Sequence, residues 1–254
     1  MLFRSVAGSF DDCQQLAKGA FADAELARAV GLTSANSISL GRLLQVVYWA
    51  AAALLAEQRH GAPASFVVPT GNLGNAFALL VARELGLPVA RVVLATNANR
   101  VVPELLASGR YAPRASLATL ANAMDVGAPS NAERLLAWWP DPRTEASWLG
   151  SGSIDDEAIR ARIRATHAAH DLAVCPHTAC GLELLSRLRD EGLAGPAVVA
   201  ATAHPAKFEG IVEPLIGAAA PPPPALAALL ARPSRAEPLP ADPAALRRAL
   251  LAAP

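Results

Sequence analysis

The stretch Phe66 to Asn99, FVVPTGNLGNAFALLVARELGLPVARVVLATNAN, decides the fold. Phe66-Val67-Val68 is a short apolar, β-branched run of the kind that forms a buried strand. It enters Pro69-Thr70-Gly71-Asn72-Leu73-Gly74-Asn75, after which apolar residues recur at helical spacing from Phe77 to Leu85. Gly86 with Leu87-Pro88 stops that helix, and Val89 to Ala95 reads as a second buried strand, so the stretch predicts one βαβ unit. Two glycines let the backbone approach a ligand closely. The N–H groups and positive dipole end of a helix beginning near Asn75 suit an anion such as phosphate. By pattern alone G-N-L-G-N is neither G-x-G-x-x-G nor the loop ending G-K-[ST], and a plain strand-to-helix turn with an Asn cap explains the same letters.

Composition sets the bounds around that unit. A chain of 254 residues, 53% hydrophobic, can bury a substantial core and has room for one large or two small domains. Lys+Arg and Asp+Glu both number 22, so no global field recommends a nucleic acid or an anionic membrane as partner. No apolar stretch reaches the ~20 residues a membrane span needs, and the N-terminus MLFRSVAGSF has no export signal pattern. Cys13, Cys175 and Cys180 are too few for a disulfide framework, and a reducing, cytoplasmic location is expected. Lys18 and Lys207 are the sole lysines in the sequence.

Before the central unit, Phe3 to Phe10 reads as an extended lead-in, with Asp11-Asp12 capping a helix through Leu16 and Ala20. A short helix over Asp23 to Ala29 and a polar turn over Gly31 to Ser37 precede an apolar helix expected from Ile38 to Ala56. After the unit come a helix from Val101 to Leu106 and a loop from Met124 to Asn131. Asp125, Ser130 and Asn131 of that loop either face a polar ligand or simply end it in a capping box, Ser130-x-x-Glu133. Pro140 to Ser153 reads as an exposed connection, Ile154 to Asp171 as an amphipathic helix, and Leu182 to Arg189 as another. His167 and His170 lie near Cys175 and His177, but with no C-x-x-C pair a zinc site is not expected. Ala197 to Ala201 reads as a strand delivering Thr202-Ala203-His204-Pro205-Ala206-Lys207-Phe208 to the sheet's carboxyl rim, where ligands of open α/β sheets collect. Beyond Gly217 the chain is rich in proline and alanine and is expected to be semi-extended, with short surface helices at Ala225 to Leu230 and Pro243 to Leu251.

Taken in order, FDDCQ (10–14), SANSIS (34–39), VPTGNLGN (68–75), ATNAN (95–99), NAMDVGAPSNAERL (122–135) and TAHPAKF (202–208) resemble the pyridoxal-phosphate-dependent threonine synthases of the longer bacterial and fungal type. The resemblance covers nearly the whole chain. It implies an α/β fold with a mostly parallel sheet wrapped by helices, an incomplete version of the fold-type II (tryptophan synthase β-like) enzymes. Residues 1–60 would be part of the smaller lobe and a connecting helix, 61–217 the larger cofactor-binding lobe, and 218–254 a C-terminal extension. It further implies conversion of O-phosphohomoserine and water into threonine and phosphate. Gly71, Asn72, Leu73, Gly74 and Asn75 would hold the cofactor phosphate or ring, and Thr202 would hydrogen-bond the pyridine nitrogen. Leu73 stands where relatives often have Phe, and an apolar contact should survive that change.

Asn36, in the turn that opens onto the cofactor in these enzymes, is a substrate candidate beside Asp125, Ser130 and Asn131; as a plain helix cap it needs no such role. The family's Schiff-base lysine lies in an N-terminal motif with no counterpart here. Lys207 belongs to a motif whose lysine is not the imine-forming one, and the resemblance assigns no role to His177 or His204. The 254 residues alone are therefore expected to be inactive. They would be the C-terminal part of a threonine synthase with a separate N-terminal half as partner, a noncatalytic module binding pyridoxal phosphate or phosphate, or a structural remnant.

Overall fold

A computed structural model of the chain describes residues 3–33, 40–233 and 235–252. Two compact units emerge, 1–39 with 223–254 and 40–222. The first begins with β1 (Arg4–Val6), α1 (Phe10–Ala22) and α2 (Ala24–Val30). Ser9, not Asp11, caps α1: its hydroxyl accepts from Asp12 N at 3.2 Å while Asp12 Oδ2 accepts from Ser9 N at 2.7 Å, a reciprocal capping box. Asp23 caps α2 through Leu26 N at 3.0 Å.

The second unit opens with a 3-10 segment, Leu40–Gln45, followed by α3 (Val46–His60). The expected helix from Ile38 to Ala56 is thus displaced. Gly41 disfavours a regular α start, and Glu57 to His60 carry the helix one turn further, to Gly61 at φ 67°. The βαβ unit follows as expected: β2 (Ala64–Pro69), α4 (Gly74–Glu84) and β3 (Val89–Thr96), with β2 and β3 parallel and Pro69 opposite Ala95. Then come α5 (Val101–Ser108), α6 (Ala132–Trp138) and β4 (Leu149–Ser153).

Strand β4 corrects the reading of Pro140 to Ser153 as exposed connection, because Leu149–Ser153 pairs parallel with β3, Val92 opposite Leu149 and Thr96 opposite Ser153. The sequence LGSGS has no strand propensity of its own, and close packing favours glycine at position 152. A Cβ on Gly152 would lie 2.5 Å from Leu184 Cδ1 of α8 (Pro176–Asp190). Helix α7 (Asp156–His170) begins two residues later than expected, capped by Asp155. Helix α8 begins six residues earlier, with Pro176 in its first turn and Cys175 Sγ accepting from Thr178 N at 3.5 Å. β5 (Ala197–Val199) pairs parallel with β2, Val67 opposite Val199, giving the all-parallel order β4-β3-β2-β5, and α9 (Glu209–Ile216) follows.

Alternation along the strands divides the core of this unit in two. Phe66, Val68, Val92 and Leu94 join Trp49, Leu79, Leu80, Leu105 and Leu135 in one cluster. Val67, Val93 and Ala95 join Ile154, Ile159, Ile163, Cys180 and Leu184 in the other. The sheet is therefore covered by helices on both faces.

The C-terminal stretch returns to the first unit as α10 (Pro224–Leu230), β6 (Glu237–Leu239) and α11 (Pro243–Leu251). It is not merely semi-extended: β6 pairs parallel with β1, Val6 opposite Leu239, and Arg4 forms an ion pair with Glu237. Arg247 reaches Asp23 at 3.3 Å and Glu25 at 3.2 Å.

Candidate functional site

Strands β2, β3 and β5 are parallel and in register, so their following loops share one rim. The loop after β2 is closed from within. Thr70 N donates to Ala95 O at 2.9 Å, Thr70 Oγ1 to Asn75 Oδ1 at 2.9 Å, and Asn75 Nδ2 to Pro69 O at 3.0 Å. Of the first four amides of α4, Ala76 N takes Asn75 Oδ1 and Phe77 N takes Leu73 O, leaving those of Gly74 and Asn75 with no acceptor inside the helix. Leu73 adopts the left-handed conformation (φ 61°, ψ 4°) with its side chain 2% exposed in the apolar cluster, so the expected apolar contact is present. At Gly71 a Cβ would lie 2.7 Å from Met124 Cα; only a glycine lets segment 121–126 pack against the loop.

The structure brings Ser130 and Asn131 to Asn72. Ser130 N donates to Asn72 Oδ1, and Asn131, 1% exposed, donates from Nδ2 to Asn72 O at 2.7 Å while Arg134 donates to its Oδ1 at 2.6 Å. The expected capping box Ser130-x-x-Glu133 does not form: Asn131 stands at the N-cap of α6 with no side-chain cap bond. Asp125 accepts from Asn97 Nδ2 and Thr119 Oγ1, both at 2.7 Å, and from Thr119 N at 3.0 Å. Burial raises its carboxyl pKa, while the bonds from Thr119 and Asn97 act the other way. Asn99 completes this network, accepting from Leu117 N at 2.7 Å and donating to Leu117 O at 2.9 Å. Sequence reasoning gave Asn97, Asn99 and Thr119 no role; two asparagines directly after a buried strand were the available signal. Asn36 lies outside the described residues.

From the other side of the rim, Thr202 is exposed two residues past Ala200, whose N donates to Val67 O at 3.0 Å. His204 Nδ1 accepts from Ala206 N at 3.2 Å and caps the turn carrying Lys207, which is exposed. His177, 3% exposed in the first turn of α8, accepts from Ala123 N at 3.1 Å through Nε2 and has its ring 5.0 Å from that of Phe208. Burial, with the charge of Lys207 as a lesser cause, lowers its pKa to about 4. Cys180 donates to Thr96 O at 3.3 Å, and burial pushes its thiol up to about 12, a packing group rather than a nucleophile. Among the described residues no three His, Cys, Asp or Glu side chains are placed to share a metal, and no helix is long and apolar enough to cross a membrane.

A parallel sheet covered on both faces, with a glycine loop feeding a helix N-terminus at its carboxyl rim, defines the chain as an α/β protein. Residues 3–203 match the family model of the pyridoxal-phosphate dependent enzymes, and the chain belongs to that family. Residues 178–250 match the model of threonine synthase, C-terminal. The chain is similar to the threonine synthase of Serratia marcescens, 40% identical over 253 residues that make up 98% of this chain and 58% of that protein. To that of Escherichia coli strain K12 it is 40% identical over 250 residues, 97% of this chain and 57% of that one. Among solved structures, threonine synthase from Escherichia coli superposes with a TM-score of 0.87 at 38% identity, covering 98% of this chain and 58% of that one. Threonine synthase from Brucella melitensis with bound pyridoxal phosphate gives 0.78 at 33% identity, covering 99% and 59%. The chain thus spans a little over half the length of these relatives.

The residues present fit the phosphate of such a cofactor. The α4 amides of Gly74 and Asn75 point out of the helix start, no acidic side chain occurs between Thr70 and Phe77, and Gly74 adds no side chain at the first helical position.

Proposed function

We propose that this chain is the part of a threonine synthase that holds pyridoxal phosphate, and that the whole enzyme converts O-phospho-L-homoserine and water into L-threonine and phosphate in the cytoplasm. The observation that carries the reading is the loop from Gly71 to Asn75, a backbone cradle at a helix start, in a chain 40% identical to threonine synthases. When bound, the cofactor supplies an electron sink for bond breaking next to the substrate's amino group. The amides at the start of α4 bind its phosphate, and Asn72 is oriented for the task by Ser130 and Asn131. Thr202 hydrogen-bonds the ring nitrogen with a neutral hydroxyl, which cannot hold it protonated as a carboxylate would. Asp125 and Asn131 act by fixing the loops, and Asn36 and Ser130 remain as candidates for direct substrate contact. Neither Lys18 nor Lys207 is assigned the Schiff-base role, so the 254 residues alone are inactive in this reading.

The lysine count also favours a second reading, a noncatalytic module that binds the cofactor or phosphate. Calorimetric titration of pyridoxal phosphate into the chain tests the cradle common to both readings. Gly74→Asp, which puts a carboxylate at the helix start, should weaken binding at least tenfold, and an unchanged affinity removes the loop from the site. Phosphate release from O-phosphohomoserine by an enzyme completed with a relative's N-terminal part separates the two readings.

A further inference from the structure

Strand β4 lies at the edge of its sheet: among the described residues it pairs with β3 alone. Val92 N donates to Trp148 O and Ile154 N to Thr96 O, so by alternation the N–H and C=O groups of Leu149, Ser151 and Ser153 point away from β3. Beside them runs a groove of about 780 Å³ between β4 and α5, where Leu106, Ala107 and Leu149 supply apolar wall and Arg91 and Arg100 supply positive charge. An apolar concavity of this size with a few polar groups is the form that small-molecule sites take.

Arg91 is half-buried near the start of β3, and its enclosed Nε has no hydrogen-bond partner among the described residues. A buried charged donor without an acceptor is destabilising, and a native fold that retains one calls for an account of what completes it. The acids of the groove do not supply it. Glu104 is held bidentately by Arg114 at 2.6 and 2.8 Å, and Asp155 accepts from Ala158 N at 2.8 Å at the start of α7. The neighbouring strand leaves space beside the guanidinium. A Cβ on Gly150 would lie 3.4 Å from Arg91 Nη2 and 3.9 Å from Nε, so at this position β4 puts no side chain against it.

We propose that this groove binds a small organic carboxylate, its two oxygens taken side-on by Nε and Nη2 of Arg91 and its body lying along the β4 edge against Leu106, Ala107 and Leu149. A carboxylate matches the planar donor pair of a guanidinium, and the outward amides of Ser151 and Ser153 add donors along the same wall. Arg100 contributes a second positive charge. The groove shares no residue with the loop from Thr70 to Asn75, and the inference does not rest on the cofactor reading.

The probe is glutarate, titrated at constant ionic strength into the isotope-labelled 254-residue chain and followed by nuclear magnetic resonance. Saturable shifts are expected at the Arg91 Nε–H and at the amides of Ser151 and Ser153. Arg91→Met, which keeps an apolar stem, should weaken binding at least tenfold without lowering the urea midpoint of the ligand-free chain, because it removes an unpartnered donor. A purely structural Arg91 would give the reverse, a lower midpoint with binding unchanged, and that result overturns the proposal. Gly150→Asp offers the guanidinium a carboxylate from the chain itself and should abolish the shifts with circular dichroism unchanged. Full binding by this variant overturns the proposal too. So does a linear drift of all amides without saturation, which is general ion screening. Tighter binding of inorganic phosphate at the same resonances overturns the assignment to a carboxylate.

Discussion

Gly71→Ala should damage the fold and the anion site together. The added Cβ would meet Met124 Cα at 2.7 Å, Val126 Cγ2 at 3.0 Å and Met124 C at 3.1 Å. Carbon atoms in a packed interior sit about 3.5–4.0 Å apart, so something must yield by roughly 1 Å. Segment 121–126 cannot easily be that part. Ala123 N is held by His177 Nε2 at 3.1 Å, and Met124 N by Ala121 O and Val126 N by Met124 O, both at 2.9 Å. The loop from Gly71 to Leu73 therefore moves instead, and overpacking of this kind costs about 1–3 kcal/mol. A displacement near 1 Å also spoils the aim of the α4 amides. Losing one amide-to-anion hydrogen bond, worth about 1.5–3 kcal/mol, lowers phosphate or pyridoxal phosphate affinity at least tenfold. Urea unfolding followed by circular dichroism gives the first number, and titration calorimetry the second. A variant within about 0.5 kcal/mol of the parent that also binds pyridoxal phosphate equally would show that the close approach of Met124 constrains nothing.

His177 makes stability depend on pH. Its pKa is about 4 folded against about 6.5 unfolded, so the unfolded chain binds the extra proton between those values and stability falls as pH drops through that window, by about 2 kcal/mol from pH 7 to pH 5. Urea midpoints at the two pH values should show this loss in the parent and not in His177→Gln; an equal loss in both would clear His177 of responsibility. In an intact enzyme built from this sequence, Thr202→Val should reduce turnover at least tenfold while Thr202→Ser preserves most of it, since only the hydroxyl's hydrogen bond is asked for. Equal steady-state rates in all three would take Thr202 out of the site.

Particular residues show how far the sequence could be read. The β2-α4-β3 unit was legible because each strand is a β-branched run buried on both faces and because Gly86 and Pro88 leave the helix nowhere to continue. Strand β4 was not. Leu149-Gly150-Ser151-Gly152-Ser153 owes its conformation to the free edge of β3 and to Leu184 above it, partners remote in the chain. The tail misled for a related reason: Pro238 tolerates strand conformation on an outer strand, and what made Glu237–Leu239 a strand was β1, more than 200 positions earlier. At the rim, the letters of the glycine loop fitted both a cradle and a plain strand-to-helix turn, and their internal bonding was hidden. Asn75 spends its amide on Thr70, Pro69 and Ala76, and the pattern Ser130-x-x-Glu133 lost to a bond from Asn131 to a carbonyl 59 positions away. Asn131 is 1% exposed, and leaving its buried amide unpaired would cost about 1–3 kcal/mol, so its side chain serves the distant carbonyl rather than the start of its own helix.

Leu73 carries the same reasoning to the backbone. A leucine in the left-handed region costs roughly 1–2 kcal/mol, and a sequence rule would put glycine or asparagine there. Burying its side chain among Phe77, Leu80 and their neighbours contributes about 1.5–3 kcal/mol, which offsets the strain only while the side chain is large and apolar. The turn that aims the α4 amides is thus held by a core contact rather than by a flexible residue. A turn fixed in this way keeps its amides in place before any ligand arrives, which is the preorganisation that the proposed anion site requires.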